Sequence, residues 1–95
     1  MAYFILFYET VDNYVEKRAP FRKIHLDHAQ ASVDRGEMVL GGAYANPADG
    51  AAIVFKGDDA SVASAFAEND PYVKNGLIKR WWVRDWTVVI GTAYP

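Results

Sequence analysis

The sequence predicts a small α+β domain in which two helices cover one face of an antiparallel sheet. Three observations carry this. Segments rich in aromatic and β-branched residues alternate with two segments of helical character. Their order is strand, helix, strand, strand, helix, strand. No linker, low-complexity run or internal repeat divides the 95 residues, a length that supports one hydrophobic core. Residues 1–95 therefore read as a single domain.

The first strand is "AYFILFYE", aromatic and apolar throughout. Asp12 and Asn13 in "TVDNY" mark a turn. "EKRAPFRKIHLDHAQASVDRG" reads as one helix, with Pro20 tolerated in a first turn and Gly36 as its stop. "EMVLGGAYA" and "AAIVFKG" form a hairpin around the turn "NPADG". "DDASVASAFAEND" is the second helix, with Asp58 or Asp59 as its cap. "PYVKNG" is a loop, "LIKRWWVRDWTVVIG" a long last strand, and "TAYP" a tail. This order is the ferredoxin-like pattern, with the helices on one side of the sheet.

That arrangement leaves the other sheet face to explain. On the last strand Trp81, Val83 and Asp85 share one side, and Trp82, Arg84 and Trp86 the other. The first strand also alternates large groups on both sides. A second apolar face on a monomer would be a large exposed patch, so a homodimer with sheets packed face to face is expected.

Composition narrows the function. Hydrophobic residues make up 52% and aromatic residues 15% of the chain, which argues against disorder. A net charge of −2 gives no reason to expect nucleic acid or an anionic membrane as partner. There is no cysteine, hence no disulfide, thiolate metal site or cysteine nucleophile. The apolar run in "MAYFILFYET" is too short to span a bilayer and lacks a basic start and a cleavage site. The default expectation is a cytoplasmic protein.

The two histidines, His25 and His28, stand three apart in "RKIHLDHAQ". On a helical wheel with Phe21 at the origin, His25 falls at about 40° and His28 at about 340°. Lys23, Asp27, Gln30 and Asp34 occupy the opposite side. The apolar face holds Phe21, His25, Leu26, Ala29 and Val33, so His25 should point toward the sheet and His28 lie at the margin. Two histidines at this spacing could share a metal, but zinc wants three or four protein ligands and no carboxylate has diagnostic spacing; no metal is expected. Periodicity alone leaves His25 as either an interior histidine satisfied by a carbonyl or an acid–base group. The second role needs an orienting partner, commonly a carboxylate. Asp70, before Pro71 in "ENDPYVKNG", reads by itself as a turn cap.

Several of these segments together resemble the YCII-related family of small α+β proteins. They are "RKIHL", with Arg22 three residues before His25; "RGEMVLGG"; the Gly50 turn; and, most specific, "NDPYVKNGL". The resemblance spans roughly residues 2 to 90. It implies a dimeric ferredoxin-like α/β barrel and an active site built on a His–Asp pair, which by motif falls on His25 and Asp70. Arg22 also matches a recurrent position. The chain departs from the pattern at Lys23, where relatives often have Pro, and at Gly41-Gly42, where Gly-Pro is common. His28 is outside the pattern and is expected to flank the site.

What chemistry follows? Ser32, Ser61 and Ser64 all fall on helical segments, and "GGAYANPADG" lacks the lysine and setting of a phosphate loop. Covalent hydrolysis is thus disfavoured, and proton transfer by an oriented imidazole remains; no cofactor is expected. The expected pocket lining is Phe7, Tyr44, Tyr72 and Trp81 or Trp82, with Arg18 or Arg22. Each arginine alone reads better as a solvated helix surface. Such a lining suits a flat substrate bearing an anionic oxygen. The family resemblance, which extends to dehydrochlorinase-type lyases, implies a lyase or isomerase acting on chlorinated hydroxylated aromatics. The competing reading is a non-catalytic dimer that binds a small ligand or partner.

Overall fold

The structure, a computed structural model, describes residues 2–94. It contains β1 (Ala2–Thr10), α1 (Tyr14–Lys17), a 3-10 turn (Ala19–Phe21), α2 (Arg22–Asp34), β2 (Met38–Ala43), β3 (Gly50–Gly57), α3 (Ser61–Asn69), α4 (Pro71–Lys74) and β4 (Ile78–Trp86). The four strands form one antiparallel sheet in the order β2-β3-β1-β4. This is the ferredoxin-like α+β fold the sequence predicts.

The period of two along β1 decides which side is covered. Phe4, Leu6, Tyr8 and Thr10 are buried under the helices, and the residues between them are half-buried on the opposite side. Ile53 and Phe55 of β3 and Ala63, Phe66 and Ala67 of α3 complete the main core, with Trp81 and Val83 of β4 packed against it. A smaller cluster of Tyr14, Tyr72 and Leu77 closes the end of the domain where α1 and α4 meet.

The long first helix predicted from the sequence is broken. Ala19, preceding Pro20, is disfavoured in the α conformation, and Pro20 has no N–H to give to a preceding turn. The chain therefore ends α1 at Lys17, passes through the 3-10 turn, and starts α2 at Arg22. Gly36 does terminate the helical region, at φ +77°. The buried stripe of α2 is narrower than the apolar face suggests. Ser32 is fully buried, while Leu26 and Val33 are each more than two-fifths exposed. Phe21, His25, His28, Ala29 and Ser32 make the inward stripe, so Leu26 and Val33 mark its open edge.

Three further differences have simple causes. The second helix begins at Ser61, not at the aspartates; Asp59 Oδ1 accepts the Ser61 N–H at 2.8 Å from outside the helix. "PYVKNG" is not all loop, because Asp70 caps the short α4 through the Tyr72 N–H and Pro71 occupies its first position. The last strand stops at Trp86, because Trp86 pairs with Tyr3 near the start of β1 and no partner strand extends beyond. The expected tail partly folds back: Tyr94 packs edge-on against Tyr3, with centroids 5.6 Å apart. Pro95 lies outside the described residues.

Candidate active site

The site lies at one end of the inner sheet face, where three elements converge. β1 supplies Tyr8, α2 supplies His25, and the α3–α4 junction supplies Asp70. Asp70 stands in extended backbone between the two helices (φ −70°, ψ 124°), a conformation that a residue before proline favours. Its carboxylate thereby turns inward and becomes fully buried.

All its polar contacts within the protein are donors. The Tyr8 hydroxyl donates to Oδ2 at 2.6 Å. The Tyr72 backbone N–H donates to Oδ1 at 3.0 Å. His25 Nδ1 lies 2.7 Å from the same Oδ1. An ionised carboxylate only accepts, so His25 must carry its proton on Nδ1, leaving Nε2 as the basic nitrogen. Nε2 has no hydrogen-bond partner among the described residues. The imidazole also stacks on the Tyr72 ring, 3.7 Å between centroids and 5° from parallel. Carboxylate and ring together hold its position and tilt.

Beside the imidazole is a cavity of about 230 Å³. Tyr8, Tyr14, Arg18, Arg22, His25 and Tyr72 provide its polar rim, and Met38, Gly41, Ala43, Ala51 and Ile53 its apolar floor. It lies just below the size range of drug-binding pockets, which suits a single-ring ligand. The Tyr72 hydroxyl is buried without a hydrogen-bond partner among the described residues. Burial is the main cause raising the Tyr72 pKa, with Tyr14 adding to it, while Arg22 and Arg18 act in the opposite direction. Arg18 also lies over the Tyr14 ring, 5.1 Å from its centroid. The Tyr8 phenol is pushed far above its ordinary range, first by burial and then by the Asp70 charge.

The sequence-predicted residues separate clearly. His25, Asp70, Arg18, Arg22 and Tyr72 come together. Trp81 stays on the inner face opposite Tyr8 in the register but packs into the core, outside the cavity lining. Phe7 and Trp82, expected in the pocket, lie on the other face of the sheet and stack on each other at 5.5 Å. Tyr44 is outside the lining as well, beside Gly50. Sequence pattern alone gives Tyr8 no role in the site. The available signal was a tyrosine in the inward-facing row of a strand, where a buried hydroxyl must find a partner.

His28 does something different. Its Nε2–H donates to the Phe66 carbonyl at 2.9 Å, and its ring stacks on Phe66 at 4.4 Å. The two histidines therefore do not share a ligand. Among the described residues no group of three or more His, Cys, Asp or Glu is placed to hold a metal ion. A larger open cleft of about 750 Å³ lies on the His28 side, rimmed by Arg35, Lys56, Asp58 and Asn69. Its lining includes His28, which bonds the Phe66 carbonyl and, among the described residues, no carboxylate.

The family model of the YCII-related domain matches residues 1–87, and the chain belongs to that family. No curated protein matches it. Among solved structures it is similar to 5-chloro-2-hydroxyhydroquinone dehydrochlorinase from Burkholderia phenoliruptrix, in complex with 2,5-dihydroxybenzoquinone. The TM-score is 0.75 at 18% identity, covering 90% of this chain and 93% of that one. It is also similar to a NIPSNAP domain protein from Burkholderia xenovorans, with a TM-score of 0.56 at 15% identity, covering 100% of this chain and 99% of the other. At these identities the likeness establishes the fold. No helix among the described residues is long and apolar enough to cross a membrane.

Proposed function

We propose that the protein is a cofactor-independent lyase or isomerase of aromatic catabolism that moves a proton with the His25–Asp70 pair. Dehydrochlorinase-like elimination on a chlorinated, hydroxylated ring is the specific reaction. One observation carries this reading: an imidazole fixed by a fully buried carboxylate at 2.7 Å, with its other nitrogen free beside a ring-sized cavity. The dehydrochlorinase with the same fold, bound to a quinone, supports the choice of substrate class.

In this mechanism the substrate hydroxyl proton passes to His25 Nε2. Asp70 stabilises the imidazolium that forms. Negative charge grows on the substrate oxygen, where Arg22, Arg18 and the unpartnered Tyr72 hydroxyl can meet it. The proton is returned to the ring carbon that bears chlorine, giving a keto tautomer; loss of a second hydroxyl proton then expels chloride as the quinone forms, and the net loss is HCl. His25→Ala and Asp70→Asn should each lower turnover of a chlorinated hydroxyhydroquinone by about 10²–10⁴-fold while the proteins stay folded. Normal turnover by either folded variant rules the mechanism out. Saturable binding without turnover by the wild-type protein would point instead to a ligand-binding module.

The same reading includes a homodimer through the outer sheet face. Tyr3, Ile5, Phe7, Trp82 and Trp86 lie on that face, where Tyr94 packs edge-on against Tyr3 and Arg80 lies over the Trp82 ring. A second copy would cover it and close the two sheets into a barrel. Trp82→Glu should convert a dimer to monomer in sedimentation velocity; a wild-type monomer would defeat this part of the proposal.

A further inference from the structure

We infer that Tyr8 is a positioning residue of the acid–base site: its hydroxyl holds Asp70 Oδ2 so that Oδ1 stays aimed at His25. The inference rests on reading His25 and Asp70 as the proton-transferring pair, and it extends that pair to a third side chain.

Position makes Tyr8 suited to this. It lies on a central strand, paired with Ala51 on one side and Trp81 on the other. It is 3% exposed and its ring belongs to the core. A phenylalanine would pack the same space. The hydroxyl adds a polar atom to the interior, which is unfavourable unless it is bonded. Its partner is Asp70 Oδ2, at 2.6 Å and 62 residues away in sequence.

The carboxylate has two oxygens and three donors. Oδ1 takes the Tyr72 N–H and faces His25 Nδ1; Oδ2 takes Tyr8. Without Tyr8, Oδ2 would be a buried anionic oxygen with no donor among the described residues. The group could then rotate or draw in water, and the imidazole would lose its fixed reference. The raised pKa of the phenol keeps Tyr8 a neutral donor, so it does not exchange protons itself.

Tyr8 also sets how much charge His25 feels. Donation from the phenol draws charge from the carboxylate, so removing it should make the imidazole more basic. The other titratable or charged groups around the pair are Tyr14 and Arg18 from the first helical turn region, Arg22 from α2 and Tyr72 from α4. The strand residues of the floor are uncharged. Those groups stay in place in the variants below.

The test is an NMR titration of His25 in the wild-type protein, in Tyr8→Phe, in Tyr8→3-fluorotyrosine and in Asp70→Asn. Tyr8→Phe should raise the His25 midpoint by roughly half a unit to one unit. Tyr8→3-fluorotyrosine keeps the ring and hydroxyl but is a stronger donor, so it should lower the midpoint and stays informative if Tyr8→Phe fails to fold. A midpoint that moves in Asp70→Asn but in neither Tyr8 variant overturns the role of Tyr8 and leaves the pair intact. A midpoint unmoved by Asp70→Asn overturns the pair, and this inference with it.

Discussion

His25 and His28 lie one turn apart on α2, yet their surroundings could hardly differ more. His25 gives Nδ1 to a buried carboxylate and leaves Nε2 free beside a cavity. His28 gives Nε2 to a backbone carbonyl on α3 and fastens the helix there. Both rings stack on an aromatic side chain, Tyr72 for one and Phe66 for the other. Stacking therefore does not distinguish them; the hydrogen-bond acceptor does. A carboxylate stabilises a cation on the imidazole, whereas a neutral carbonyl orients the ring without comparable charge. The same residue type, one turn apart on the same helix, meets a buried carboxylate in one case and a backbone carbonyl in the other, and the acid–base role proposed for His25 has no counterpart at His28.

Replacing the two acceptor-side arrangements is the sharpest way to break this comparison. Asp70→Ala leaves two buried donors and the partly buried His25 Nδ1 without an acceptor and removes the cap of α4. It should cost about 3–5 kcal/mol in urea denaturation. His28→Phe keeps the stacking and loses one hydrogen bond to a carbonyl beside an open cleft. It should cost about 1 kcal/mol and leave turnover near the wild-type level. Equal losses of stability, or a loss of turnover in His28→Phe matching that of His25→Ala, would remove the distinction between the two histidines.

A smaller effect concerns pH. The Tyr8 and Tyr72 pKa values lie above the ordinary tyrosine value of 10.0. Below pH 10 both are protonated in the folded and unfolded chain, and their contribution is constant. Above it the unfolded chain releases these protons first, so folding stability should fall as pH rises. In Tyr8→Phe the alkaline decline in melting temperature should be shallower than in wild type. His28→Phe, which touches neither phenol, should leave the slope unchanged. An identical slope in wild type and Tyr8→Phe would mean that the Tyr8 hydroxyl is not held as the structure has it.

Much of the fold was legible from local pattern. The alternation in β1, the glycine stop at Gly36 and the two-faced β4 all follow from periodicity and backbone freedom. The break before Pro20 and the helix in "PYVKNG" depart from the sequence expectation for opposite reasons. One was a strong helical pattern interrupted by a single backbone constraint. The other was four residues too short to show any period, made helical by a cap and a proline. In the site, His25 was placed inward by its position on the wheel, and Asp70 as its partner came from a family resemblance. Trp81 and Tyr8 sit opposite each other across β4 and β1. Only Tyr8 touches the site, because its hydroxyl reaches Asp70 while Trp81 packs against the core.

The sequence by itself determined the order of the elements, the two faces of the sheet and the inward turn of His25. Each of these depends on neighbours within a few positions along the chain. Only the tertiary structure decided that Asp70 serves as cap, hydrogen-bond acceptor and imidazole partner at once, and that Tyr8 reaches it. His25 and Asp70 are 45 residues apart and Tyr8 and Asp70 are 62 apart. No local periodicity spans such distances; they are set by the register of β1 in the sheet and by how α2 and α4 pack over it.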